Sequence, residues 1–187
     1  MGRVGTAVDL TSWDGVSYRS TQTITLPDVD HAFEAWATQS GLLEMLSAYF
    51  AVAERTAARL VRARWYGRQP VLALVWPPIP LIRMGEPVLN LSETQAAIQV
   101  GIEGGLLVMP STQAYLLLEL HRQSTNFSAR VDLVGYRPRF GQVALVRRVY
   151  ELTQARVHRH VGNYFLRDFH ASWRHSRVDI TPSSSAG

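Results

Sequence analysis

Residues 113–137 read QAYLLLELHRQSTNFSARVDLVGYR. In the first half Ala114, Leu116, Leu118 and Leu120 alternate with Tyr115, Leu117, Glu119 and His121, and in the second Val131 and Leu133 alternate with Arg130 and Asp132. A period of two puts each set on its own face of a strand. Ser124-Thr125-Asn126 between the runs is turn chemistry and leaves no room for a crossover helix, so the two strands, Gln113 to Arg122 and Phe127 to Arg137, pair antiparallel.

Working back toward the N-terminus, the same pattern predicts strands over Pro70 to Trp76, Leu81 to Leu91 and Gln95 to Met109, with a bulge or close approach at Gly104-Gly105. Pro77-Pro78, Ser92-Glu93 and Pro110-Ser111 supply the turns. Ser17 to Leu26 is a further strand, closed by Pro27, and Asp28 is a helix cap for Val29, Ala32, Phe33 and Trp36 at helical spacing up to Gln39. Ser40-Gly41 breaks that helix, and a second one is predicted from Leu42 to Arg64, apolar at Leu42, Leu43, Leu46, Tyr49, Phe50, Ala53, Ala57, Leu60 and Val61. Arg55, Arg59 and Arg62 fall on its opposite face.

Beyond Pro138 and Gly141 a last helix is predicted from Gln142 to Arg174, more than ~40 Å long at ~1.5 Å per residue. Gly162 is its weak point, costing ~1 kcal/mol relative to Ala. The expectation is an α+β domain over 17–174, with about six antiparallel strands, two helices after the first strand and one long C-terminal helix. Residues 1–16 and the Ser-rich 175–187 read as loosely held.

Composition limits the chemistry. All 19 basic residues among the 187 are Arg, and Cys is absent. Without Lys there is no Schiff-base amine or P-loop lysine, and without Cys no thiol nucleophile, iron–sulfur cluster or disulfide. The apolar run Val71 to Ile82 is too short to span a bilayer and holds three prolines. With no secretory signal pattern, a cytoplasmic location is expected. The net charge is +4, with five Arg between Arg55 and Arg68 and six between Arg137 and Arg159. These clusters could meet an acidic partner, but they fall on faces that helices expose anyway, and nucleic acid is not expected as a partner.

Catalytic signatures are missing: there is no GxSxG elbow, GxGxxG fingerprint or paired-Asp motif. His158 and His160, two apart on a helix, diverge, so no metal is expected. Glu119 and His121 would form an acid/base pair if the Leu face of their strand packed away from a cavity; otherwise they lie on an exposed face with a cross-strand partner. Arg130 and Asp132 suit either a surface ion pair or a buried anchor for a ligand carboxylate. His160 and Tyr164 share a helix face.

The order of elements resembles the helix-grip fold of the START-like, Bet v 1-like (SRPBCC) superfamily over about residues 17–172. It is carried by Ile24 to Trp36 (ITLPDVDHAFEAW) and by Val131 to Arg139 (VDLVGYRPR) leading into the last helix. The resemblance implies a curved antiparallel sheet around the C-terminal helix and a cavity for a hydrophobic or amphipathic small molecule, lipid-like or polyketide-like, with no cofactor. The cavity residues expected are Trp36, Tyr49, Phe50, Trp76, Tyr115, Tyr136, Tyr164 and Phe165, with Arg83, His121 or His160 as polar anchors. The alternatives are a cyclase, dehydratase or hydrolase using Glu119, His121, Asp132 or His160, and an Arg-rich interaction module; a homodimer is compatible with each.

Overall fold

The computed structural model describes residues 8–14, 17–28, 32–111, 113–139 and 160–171. In chain order these form β1 (Val8–Trp13), β2 (Tyr18–Pro27), α1 (Ala32–Trp36), α2 (Gln39–Thr56), β3 (Val61–Tyr66), β4 (Gln69–Leu74), β5 (Pro80–Met84), β6 (Val88–Leu91), β7 (Gln95–Gly104), β8 (Tyr115–Gln123) and β9 (Asn126–Tyr136). A third helix, α3, covers 160–171. All pairings are antiparallel, in the order β1-β2-β9-β8-β7-β5-β4-β3, and the sheet does not close.

The two strands that anchored the sequence reading pair as expected, with Glu119 opposite Arg130 and Leu118 opposite Val131. Leu116, Leu118, Leu120, Ala129, Val131 and Leu133 are buried on one face, together with Ile24, Leu26, Ile98, Val100 and Ile102 from β2 and β7. The helices cover this inner face. Leu42, Met45, Leu46, Tyr49, Phe50 and Val52 of α2 join the same core, as do Val161, Phe165, Leu166 and Phe169 of α3. Asp28 fixes the entry to α1: its Oδ1 accepts from the Phe33 amide at 3.0 Å, and its Oδ2 meets Arg122 Nε at 3.0 Å. The Arg122 guanidinium also lies over the Phe33 ring, so one cation ties α1 to the β8–β9 hairpin.

Helix α2 departs from the sequence expectation at both ends. It begins at Gln39, where the Thr38 hydroxyl accepts from the Gly41 amide at 3.0 Å, so Ser40-Gly41 belongs to its first turn and does not break it. It stops at Thr56 because Ala58 and Arg59 turn left-handed, with φ of 49° and 62°. The Ala58 amide donates to the Arg55 carbonyl and the Arg59 amide to Glu54, the paired bonds of a Schellman terminus. Val61 to Arg64, expected to finish the helix, belongs to strand β3. The arginine stripe is therefore broken: Arg55 is helical, Arg59 lies in the turn and Arg62 is on a strand.

The sheet is also larger than expected. Val8–Trp13, within the stretch that shows no clear period, pairs with β2 from Val8–Thr23 to Trp13–Tyr18. The predicted Leu81 to Leu91 strand is two strands. Gly85, Glu86 and Pro87 separate β5 from β6, and both lie along the same edge of β7. The bend at Gly104-Gly105 ends β7. Gly105 has φ of 148°, and a Cβ there would run into the Leu81 carbonyl. Of the predicted C-terminal helix, 142–159 and 172–174 lie outside the described residues, and 160–171 is helical.

Within α3, Gly162 proves to be a point of closest approach, since a Cβ there would overlap the Gln22 carboxamide of β2. Gln22 is buried, and its Nε2 donates to Ser20 Oγ at 2.8 Å. Gly162→Ala, which at an exposed helix site would gain ~1 kcal/mol, is expected here to lower stability by about 1–3 kcal/mol. Thermal unfolding checks this; Gln22→Ala in the same chain should recover part of the loss. In the turn after α2, Ala58→Gly is expected to raise stability by up to about 1 kcal/mol, because glycine carries no penalty in the left-handed region. A lower melting temperature would contradict that account of the helix end.

Candidate functional site

A cavity of about 250 Å³ lies under the second half of α2. Ala53, Thr56 and Ala57 form its helical wall, Val61, Leu72, Leu81, Ile82 and Met84 line it from β3, β4 and β5, and Ile102, Leu116, Leu133 and Tyr136 from β7, β8 and β9. Leu107, Tyr49 and Val161 complete it. Its origin is a change of side-chain size along one helix. The first turns of α2 fill the core with Leu42, Met45, Leu46 and Tyr49, whereas the last two present Ala53, Thr56 and Ala57 to the same sheet. Protein interiors are otherwise close-packed, so the missing volume stays as space.

Polar groups in this wall are few: the hydroxyls of Tyr49, Thr56 and Tyr136. Burial lifts the Tyr49 phenol well above the ordinary tyrosine range, and the neighbouring Tyr18 phenol adds to the rise. Tyr49 is thus neutral at physiological pH, a hydrogen-bond donor or acceptor and not a base.

Of the residues expected to line a cavity, Tyr49 and Tyr136 do so. Phe165 and Phe50 pack against Tyr49, with ring centroids 5.7 and 6.1 Å away. Trp36 and Phe165 instead line a second hollow of about 460 Å³ between α2 and α3, floored by Met45, Val52 and Phe169 and bridged by an Arg55–Asp168 ion pair. His160 and Tyr164 meet edge to face, ring centroids 4.2 Å apart, on an exposed side of α3. Trp76 and Arg83 are exposed, and Tyr115 and His121 belong to the face of β8 turned away from the helices. The reason is one of register: the Leu face of β8 packs inward against the cavity, which carries Glu119 and His121 outward.

On that outer face the polar residues pair only in part, and Arg130 Nε and Asp132 Oδ1 are buried without a hydrogen-bond partner. Arg130 Nη2 sits 2.6 Å from Asp132 Oδ2, and Glu119 Oε1 accepts from Gln95 Nε2 at 2.6 Å, with its other oxygen 3.9 Å from Arg130. The acid and base candidates therefore do not converge. Glu119 and Asp132 flank one guanidinium, His121 is exposed, and His160 is on a helix across the sheet. Signals for the actual cavity wall were present in the sequence as the Ala53, Thr56 and Ala57 spacing, but a small residue on a helix stripe reads equally as tight packing.

No protein-family model matches the chain. No curated protein matches it either. Among solved structures, CalU16 from Micromonospora echinospora aligns over 84% of this chain and 83% of its own, with 9% identity and a TM-score of 0.29. A likeness at that level carries no argument for fold or ligand. Among the described residues no helix is long and apolar enough to cross a membrane.

Burial of Tyr49 also sets a pH dependence. Below pH ~10 the phenol is protonated in both folded and unfolded chains, and above it the unfolded chain loses the proton first. Stability is expected to fall as pH climbs from ~10 through the raised folded value, and Tyr49→Phe should remove that part of the fall. Urea unfolding of both proteins at about pH 8 and about pH 11 checks it; an identical alkaline loss in the two would show that Tyr49 does not ionise on unfolding.

Proposed function

We propose that this protein binds a small, uncharged, largely apolar molecule in the cavity between α2 and the sheet, in a domain of helix-grip type whose C-terminal helix closes one side. The observation that carries this reading is the cavity itself: about 250 Å³ of space walled mainly by aliphatic side chains from α2, α3 and six strands, with hydroxyls at only three positions. An apolar cavity of ~150 Å³ already accepts benzene, so this one has room for a fused two-ring compound or a short branched chain. Each methylene buried there contributes ~0.8 kcal/mol, and the neutral Tyr49 hydroxyl suits a carbonyl or hydroxyl on the ligand.

Binding without turnover is the simplest use of such a site. A carboxylate ligand finds no cation in this wall, which favours neutral compounds over fatty acids. The ligand's reach is limited by the same geometry: long acyl chains exceed the volume.

The probe for this is 1-naphthol. At about ten times its dissociation constant it should stabilise the protein by about 1.4 kcal/mol, a shift of a few degrees in Tm. Ala53→Phe, which fills the space from the helical side, should keep the fold and abolish the shift. No shift in the natural protein, or an equal shift in Ala53→Phe, would sink the cavity as a binding site.

A further inference from the structure

Among the described residues the sheet ends on β3, whose far side carries no strand. In an antiparallel strand the backbone groups of successive residues point alternately to its two sides. The Val75 amide donates to the Leu60 carbonyl at 2.9 Å, so Leu60, Arg62 and Arg64 turn their backbone groups toward β4. Val61, Ala63 and Trp65 therefore turn theirs away from it. An open row of this kind is a template on which another strand can be added.

The middle of the row is taken. The Ala63 amide donates to Glu54 Oε1 of α2 at 2.7 Å. One helical turn earlier, Phe50 meets Trp65 edge to face with ring centroids 6.3 Å apart. The two contacts keep step, since four residues of helix rise ~6 Å and two residues of strand span ~6.6 Å. Helix α2 thus runs antiparallel along β3 and holds it at both points. The charges of the strand act in the same sense. Two copies of β3 paired antiparallel about Ala63 would set Arg62 of each opposite Arg64 of the other, and like charges directly opposite are destabilising.

We infer that Glu54 is a plug on the open edge of the sheet: by occupying the Ala63 amide it keeps β3 from pairing with β3 of a second copy of this chain. A hydrogen bond to a carboxylate is roughly twice as strong as one to a neutral carbonyl, so the carbonyl of an incoming strand does not displace it. The arginines oppose the pairing at its flanks and the carboxylate at its centre. The plug is independent of the cavity, because Glu54 is not part of the cavity wall.

The test is sedimentation velocity of the full chain over a range of concentrations. The natural chain and Glu54→Gln, whose carboxamide oxygen still accepts from the amide, are expected to share one profile. Glu54→Ala is expected to self-associate about tenfold more strongly, in species that grow with concentration. Adding Ala63→Pro to Glu54→Ala should remove those species, because proline offers no amide and is tolerated on an edge strand whose N–H side faces solvent. Association through unfolding would give the opposite pattern, since the added proline would then increase it. The inference is overturned if Glu54→Ala sediments as the natural chain does, or if its larger species persist with Ala63→Pro. A natural chain that is already a dimer, and that Ala63→Pro dissociates, would overturn it as well.

Discussion

Two residues set in the left-handed region, Ala58 and Arg59, decide how the cavity side of this molecule is built. If α2 ran on, Val61 to Tyr66 would be its last turns, and β4 would have no outer neighbour. Because the chain reverses there, β3 can pair with β4 from Val61–Leu74 to Tyr66–Gln69. Val61 then becomes cavity wall, and Leu60 comes level with Val75. The left-handed step costs ~1–2 kcal/mol for a residue with a Cβ, and the strand pairing it permits returns a ladder of backbone bonds.

This is also where the sequence was hardest to read. Helices that end in this manner usually announce themselves with glycine at the reversal, and here the position is Ala58, a strong helix former. The alternation of Val61, Ala63 and Trp65 with Arg62, Arg64 and Tyr66 was visible, as was the hairpin glycine Gly67, which takes φ of 62° in the two-residue turn. Apolar residues at three- and four-residue spacing outweighed it. By contrast β8 and β9 were legible because one face of each is largely apolar, and a strand buried on one face has only one workable register, while β2 was legible from its alternation and the proline that closes it, although its inner face carries Ser20 and Gln22. For the site, Tyr49 lies on the apolar stripe of α2, whereas Tyr136 shares its parity with Arg130 and Asp132 and reaches the cavity only past the register shift between β2 and β9. Trp76, expected among the cavity residues because large aromatic side chains are usually inside, is exposed in the β4–β5 connection.

Two buried carboxylates are each held by one arginine. Asp28 is buried where it meets Arg122, and Asp132 is buried beside Arg130. Removing either arginine would leave a carboxylate without its counter-charge, which costs far more than the pair contributes when intact. In a chain whose only cation besides histidine is Arg, each guanidinium can serve several acceptors at once: Arg122 binds two carboxylates and covers a ring.

The join between β5 and β7 adds something about motion. β3, β4 and β5 form a wing whose strand pairing to the rest of the sheet comes down to Arg83–Gly104 and Met84–Ile102, with a register shift between them, whereas β8 and β9 are zipped from Tyr115–Val134 to Gln123–Asn126. Local opening follows the least-bonded seam in a fold. Here that seam runs along the cavity, so separating the wing from β7 would open a route between the interior and solvent while the β2–β9–β8–β7 body stays whole. The sparsest strand pairing in the sheet and the edge of the cavity thus coincide at Met84 and Ile102.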